Sequence, residues 1–314
     1  MEMGVYTMAS REKILITGGA GQIGEMLINE LKKDYDILVV DIKKPRVQDV
    51  EFICDDLRDI EKVKEFTKGI DYIIHLAAYS REGTIPSYPE GWQVNCTDTF
   101  NVFESAVVNN VKKVVFASSI CAVGPITWTS PDHSIKYFPI DELHPMRPQN
   151  LYGTSKLIGE NLAWMYSKRS ATRFVGFRMA TVWFKSERGI DPTTDMFVSY
   201  VKDPTSIERL PPTEKRRFAF YDLTWQYVDA RDVVQAFRLG IEKTINGCEF
   251  FNIGAADTPS DWESFKLAKY IYPEVPLRDP LIFLIDKKCA LWDISKARKE
   301  LGYKPVYNWK EYIQ

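Results

Sequence analysis

Short apolar runs alternate along this chain with amphipathic stretches, and the two periodicities predict parallel strands joined by helices. Ile14 to Ile16 is continuous and rich in β-branched residues, as a strand buried on both faces requires. Glu25 to Lys33 spaces Met26, Leu27, Ile28 and Leu31 among charges, a helix with one apolar face. Ile37 to Val40, Glu51 to Cys54, Asp71 to Leu76, Val114 to Ala117 and Phe174 to Arg178 repeat the strand pattern, and Tyr227 to Asp229 begins a further strand and helix ending near Ile241. Gly91 to Asn110 carries Trp92, Val94, Phe100, Val102, Phe103, Ala106 and Val107 on more than one face, which predicts a long helix buried on two sides. A second long helix opens at Leu151 and runs through Trp164 and Tyr166.

Between the first strand and helix lies Thr17-Gly18-Gly19-Ala20-Gly21-Gln22-Ile23-Gly24. Glycines at 18, 21 and 24 allow a tight turn, close approach to a pyrophosphate and close packing of the helix on the sheet, with the helix N-terminus aimed at the phosphates. Such turns also serve as plain connectors; the strand before and helix after this one favour a dinucleotide. Asp41 ends the second strand, where an acidic residue accepts both hydroxyls of the adenosine ribose and repels a 2′-phosphate, so NAD is expected over NADP. Its alternative is a solvated strand-end carboxylate, and Lys43, Lys44 and Arg46 follow closely. Asp55-Asp56-Leu57 is placed to meet the adenine, and the small Ala77-Ala78 lets the backbone pass close to the cofactor. His75 reads as a packed strand residue. Gly124 to Asn150 contains five prolines, at 125, 131, 139, 145 and 148, and predicts a long stiffened loop of the kind that is usually functional.

Composition narrows the partners. Lys plus Arg is 41 and Asp plus Glu 43, for a net charge of −2, so no global field favours nucleic acid or an anionic membrane. Five cysteines without a Cys-x-x-Cys spacing imply a reducing cytoplasm, and three scattered histidines give no reason to expect a metal. No run reaches membrane-spanning length, and Met1 to Ser10 reads as an extension outside the fold.

Tyr152 and Lys156 share a helix face, one turn apart. A tyrosine at its ordinary pKa of about 10 is a poor base at neutral pH, and moving it by about 3 units takes about 4 kcal/mol. The Lys156 ammonium is expected to supply part of that by favouring the phenolate. Ser119, at the end of the strand through Val114, is the expected second donor to a substrate oxygen.

With the glycine turn, Tyr152-x-x-x-Lys156 resembles the extended short-chain dehydrogenase/reductase family, which includes NAD-dependent epimerases and dehydratases. Also similar are Asp41, Asp56-Leu57, His75-Leu76-Ala77-Ala78, Asn95, Phe116-Ala117-Ser118-Ser119, Arg178, Tyr227-Val228-Asp229-Ala230-Arg231-Asp232 and the stretch from Asp293 to Pro305. The resemblance covers nearly the whole chain. It implies a Rossmann-type doubly wound α/β parallel sheet over residues 11–180, completed by 225–254, with a smaller substrate lobe from 181–224 and 255–314. It further implies a Ser119-Tyr152-Lys156 triad, cofactor contacts from Gly18, Gly21, Gln22, Ile23, Gly24, Asp41, Asp56, Leu57, Leu76, Ala77, Ala78, Asn95, Tyr152 and Lys156, and a homodimer built through the two long helices.

Departures from the family pattern narrow the reaction. Dehydratases carry an acid pair where this chain has Ile120 and Cys121, which disfavours elimination of water. The asparagine and arginine that usually hold a sugar-nucleotide diphosphate are replaced by Thr181 and by Leu223-Thr224-Trp225. Ser80, Ser119, Cys121, Arg178 and Thr181 are the expected substrate contacts, with Arg178 nearer the supporting shell, and Arg209, Lys215, Arg216 and Arg217 supply cations in the substrate lobe. The Ser118-Ser119 strand end and the helix run from Leu151 to Ala163 look more like uronate dehydrogenases. Three readings remain: a sugar or sugar-acid dehydrogenase that releases NADH, a nucleotide-sugar epimerase that retains NAD, and an NAD-binding protein without catalysis.

Overall fold

The apolar runs assemble into one seven-stranded, all-parallel sheet. The computed structural model describes residues 11–124, 135–186, 189–190, 226–260 and 262–312. The sheet is made of β1 (Lys13–Thr17), β2 (Asp36–Asp41), β3 (Glu51–Cys54), β4 (Tyr72–His75), β5 (Lys113–Ser119), β6 (Arg173–Met179) and a last strand, Cys248–Ile253. Its spatial order is β3-β2-β1-β4-β5-β6 followed by Cys248–Ile253. The order reverses between β1 and β4, and that reversal opens a crevice at the carboxyl ends of the strands.

The inner strands are apolar at their centres because both faces are covered there. Ile14 and Ile16 pack in one cluster with Leu27 and Ile28 of α1 (Gln22–Leu31) and with Phe237 of the helix Ala230–Glu242. Leu15 points the other way, into a cluster with Val63 of α2 (Ile60–Phe66), Val102 and Phe103 of a helix over Asp98–Val108, and Ala163 of the helix Leu151–Ser167. Successive strand residues thus serve opposite layers, and each layer closes on its own helices.

Two helix boundaries differ from the expected ones. α1 begins at Gln22, inside the glycine turn, and ends at Leu31, before the Lys32-Lys33 charges. The long helix expected from Gly91 begins at Tyr88, where Ser87 caps it and Pro89 lies in its first turn, so α3 is Tyr88–Trp92. A π-helical turn over Gln93–Thr97 separates it from α4, Asp98–Val108. Hydrophobic periodicity does not register an inserted residue within a helix, which is why this bulge escaped the pattern. α5 is Leu151–Ser167, capped by the Asn150 side chain, which accepts from the Gly153 amide.

Beyond β6, β7 (Thr181–Trp183) pairs in parallel with Tyr227–Asp229, and β8 (Lys185–Ser186) with β9 (Gly189–Ile190) in antiparallel fashion. Tyr227–Asp229 is therefore β10, Cys248–Ile253 is β11 and Ala230–Glu242 is α6. Two helices follow, α7 (Ser264–Ile271) and α8 (Pro280–Ile285). Leu291, Trp292 and Tyr303 join the same cluster as Ile14 and Val175, so the C-terminal segment is packed into the main core. The loop after β5 docks on it through bridges from Phe138 to Leu277 and from Ile140 to Trp292. Residues 1–10, His133, Arg209, Lys215, Arg216, Arg217 and Leu223-Thr224-Trp225 lie outside the described residues. Among the described residues no helix is long and apolar enough to cross a membrane, and no group of three or more His, Cys, Asp or Glu side chains is arranged to hold a metal.

Candidate active site

β1 and β4 separate at the sheet's carboxyl edge, and the glycine turn fills the gap. Gly18 has φ of +72°, and a Cβ there would lie 2.6 Å from the Ala77 amide nitrogen, so the turn and the end of β4 touch main chain to main chain. A Cβ on Gly24 would meet Gly19 Cα at 2.6 Å, so α1 sits tight against its own entry turn. The N-cap of α1 is Gly21, with no side chain bonded to the helix amides. That end combines open N–H groups with the positive end of the helix dipole, a fit to a pyrophosphate. Gln22 and Ile23 form its first turn.

Asp41 ends β2 beside this turn. Its carboxylate accepts from the Ala20 amide at 2.9 Å and from the Lys43 amide at 2.9 Å, so main chain on both sides aims it. A carboxylate offers about four lone-pair sites, and two remain for ribose hydroxyls. The donor set and the glycine cradle therefore fit NAD. Asp56, at the end of β3, accepts from the Arg58 amide. Leu57 is buried, and its carbonyl accepts from Asn101. Leu76 donates its amide to the Thr17 carbonyl, which brings Ala77 and Ala78 to the crevice wall.

The reacting-end residues come together across the crevice from the glycine turn. Ser119 ends β5, its Oγ accepts from the Cys121 amide at 3.1 Å, and it lies beside the Tyr152 phenol. Lys156 Nζ lies 5.5 Å from the centre of the Tyr152 ring. Burial pushes the Lys156 ammonium down to about 8. It also pushes the Tyr152 phenol up, with the neighbouring Cys121 adding to the rise and the Ser119 bond opposing it. The expectation that Lys156 lowers the phenol is thus corrected for the protein alone. Desolvation is the largest cause for each group, and neither shift draws on the other group. Cys121 lies in the same nest, its thiol pushed up to about 11 chiefly by burial.

His75 is buried between Thr17 Oγ1 at 2.7 Å and Thr99 Oγ1 at 3.0 Å, and burial holds its pKa near 3. The Thr99 hydroxyl is committed to the Asn95 carbonyl, so it accepts from Nε2–H while Nδ1 accepts from Thr17. The histidine is a neutral strut, as read from the sequence.

Two expected ligand contacts are buried and bonded within the fold. Asn95 is 3% exposed, and its carboxamide both accepts from the Tyr79 amide and donates to the Tyr79 carbonyl, so it holds the loop after β4. Arg178 is 3% exposed, paired with Glu160 at 2.7 Å, with its other arm on the Glu142 carbonyl. A guanidinium so engaged cannot turn to a substrate; it ties β6 to α5 and to the proline loop. Glu160, which also accepts from Ser118 Oγ at 2.6 Å, was missed from sequence because its partners come from two distant strands. Of the other expected substrate contacts, Ser80 is exposed on the loop after β4, and Cys121 and Thr181 are half-buried, Thr181 opening β7.

One site residue emerges from geometry alone. Glu82, on that same loop, accepts from the Tyr152 amide at 2.8 Å and so reaches the first turn of α5. No motif contains it; its role depends on a loop folding back across 70 residues.

The chain's residues 14–254 match the model of the NAD dependent epimerase/dehydratase family. A putative UDP-glucose 4-epimerase of Methanocaldococcus jannaschii is 27% identical over 313 residues, covering 96% of each chain. A uronate dehydrogenase of Agrobacterium fabrum is 31% identical over 195 residues, 56% of this chain and 68% of that one. Among solved structures, the UDP-glucose 4-epimerase of Thermotoga maritima superposes with a TM-score of 0.68 at 23% identity, over 96% of both chains, a likeness that speaks for the fold. With the seven-stranded sheet, the glycine turn and the aimed Asp41 in place, this chain belongs to the NAD dependent epimerase/dehydratase family.

Proposed function

We propose that this protein is an NAD-dependent dehydrogenase that oxidises a carbinol carbon of a free aldose or sugar acid and releases NADH. The observation that carries the reading is the meeting of Ser119, Tyr152 and Lys156 at the carboxyl end of β5. In this reading Ser119 donates a hydrogen bond to the substrate oxygen, Tyr152 takes the hydroxyl proton, and Lys156 favours the phenolate while holding the nicotinamide ribose. Bound NAD supplies the hydride acceptor and a positive ring charge that adds to the field of Lys156. We assign substrate binding to residues 181–224 and 255–314, and the reaction to the cytoplasm. Thr181 in place of a diphosphate-binding asparagine supports a substrate without a nucleotide.

The second reading is a nucleotide-sugar epimerase that keeps its NAD, favoured by the near full-length match to a putative UDP-glucose 4-epimerase. One panel separates the two. Purified protein with NAD is offered free aldoses, uronates and nucleotide-diphosphate sugars, with NADH followed by absorbance and epimers by chromatography. NADH from a free sugar is the expected result; a nucleotide sugar epimerised without net NADH overturns the dehydrogenase.

The protein acts as a homodimer in this proposal. Trp92 (51% exposed), Phe100 (37%) and Trp164 (56%) stand out from α3, α4 and α5, large apolar groups of the kind an interface core covers. Sedimentation at micromolar concentration is expected to give twice the chain mass of 36.3 kDa, and a monomer mass contradicts it.

A further inference from the structure

The loop between β4 and α3 brings a carboxylate to the rim of the reacting end, and that charge bears on what the site accepts. Glu82 accepts from the Tyr152 amide at 2.8 Å, and its charge raises the nearby Tyr88 phenol. Cys121 donates its amide to Ser119 Oγ, and its carbonyl abuts Gly153 in the same helix turn as Tyr152, so the Glu82 bond to the Tyr152 amide sets the carboxylate beside the reacting end, where its charge also raises the Cys121 thiol. Among the described residues no lysine or arginine forms an ion pair with it. Ser80, two positions earlier on the same loop, is exposed beside it. A carboxylate has about four lone-pair sites, and the Tyr152 amide uses one. What is left is acceptor capacity for hydroxyl groups, together with a negative charge that a second anion must approach through partly desolvated surroundings.

We propose that Glu82 is a specificity-determining residue that selects neutral, hydroxyl-rich sugars over acidic ones at this site. The proposal rests on the dehydrogenase reading and narrows it from aldose or sugar acid to aldose. Its competitor is a purely structural role, in which Glu82 stabilises the N-terminus of α5 through the helix dipole. Glu82→Gln separates the two, because the amide oxygen still accepts from the Tyr152 N–H while the charge is gone.

The test uses matched pairs that differ only in a CH2OH or a carboxylate at carbon 6, galactose with galacturonate and glucose with glucuronate. With NAD in excess, wild-type protein is expected to show kcat/KM at least about tenfold higher for a neutral sugar than for its uronate, and E82Q to narrow that ratio about tenfold, mainly through KM for the uronate. A ratio that E82Q leaves unchanged points to helix capping alone and overturns the proposal. A uronate oxidised as well as its neutral partner by wild type also overturns it, while the dehydrogenase reading stands. If none of the four sugars yields NADH, the dehydrogenase reading fails, and thermal shift of the NAD-loaded protein decides the Glu82 proposal. Stabilisation by the neutral sugar over its uronate, reduced in E82Q, supports it, and equal or absent stabilisation overturns it.

Discussion

Tyr152→Phe is expected to lower turnover by about 10²–10⁴-fold, the range that a positioned proton-transfer group supplies, with NAD affinity nearly unchanged. The ring stays packed and keeps Lys156 at its face, 5.5 Å from its centre, so the variant removes little beyond the hydroxyl. That hydroxyl starts as a neutral phenol, held up by burial, and Lys156 starts below its ordinary range for the same reason. Proton transfer from substrate therefore depends on positive charge gathered as the site fills, and without the phenol oxygen no neighbouring group takes the proton. Cys121 is the nearest alternative, yet its thiol sits near 11. Single-turnover NADH formation measures the chemical step, and quenching of protein fluorescence by NAD measures binding. Turnover within about tenfold of wild type would assign the base to another group.

Arg178→Met should cost about 3–5 kcal/mol of stability, because it strands the Glu160 carboxylate at 2% exposure. A chain of this size loses roughly 2–4 °C of melting temperature per kcal/mol, so the midpoint should fall by about 10 °C. The charge left behind causes the loss more than the contacts removed. Glu160 would keep only Ser118 as a partner, and the Glu142 carbonyl would lose its donor. Adding Glu160→Gln to the Met variant removes the orphan charge and should recover part of the loss, a non-additivity that identifies a coupled buried pair. Melting followed by circular dichroism across wild type, both single variants and the double variant tests this. An Arg178→Met variant melting within about 2 °C of wild type would show that the guanidinium contributes no net stability there.

Both outcomes bear on how far the chain could be read before its fold was known. The glycine turn, Asp41, the strand end at Ser119 and the Tyr152–Lys156 spacing were legible because each depends on neighbours within one turn or one strand-to-helix unit. Local chemistry of that kind is written in order along the chain. The two-layer burial of the strands was legible for a similar reason: Ile14, Leu15 and Ile16 are all apolar because alternate residues face opposite helix layers.

What only the tertiary structure decided depends on partners far apart in sequence. Arg178 and Asn95 are polar residues at motif positions, and sequence alone could not tell a ligand contact from a buried brace. In the fold both are buried and bonded, Arg178 to Glu160 and the Glu142 carbonyl and Asn95 to the Tyr79 backbone. The direction of the Tyr152 shift was also out of reach, since a helical spacing places Lys156 near the phenol but says nothing about how much water either group has lost. Desolvation is set by everything packed around a site, and here it is the largest cause of both shifts. Glu82 reaches Tyr152 across a loop whose path follows from the Asn95 clamp on Tyr79 and the π turn that presents it, neither of which leaves a periodic signature.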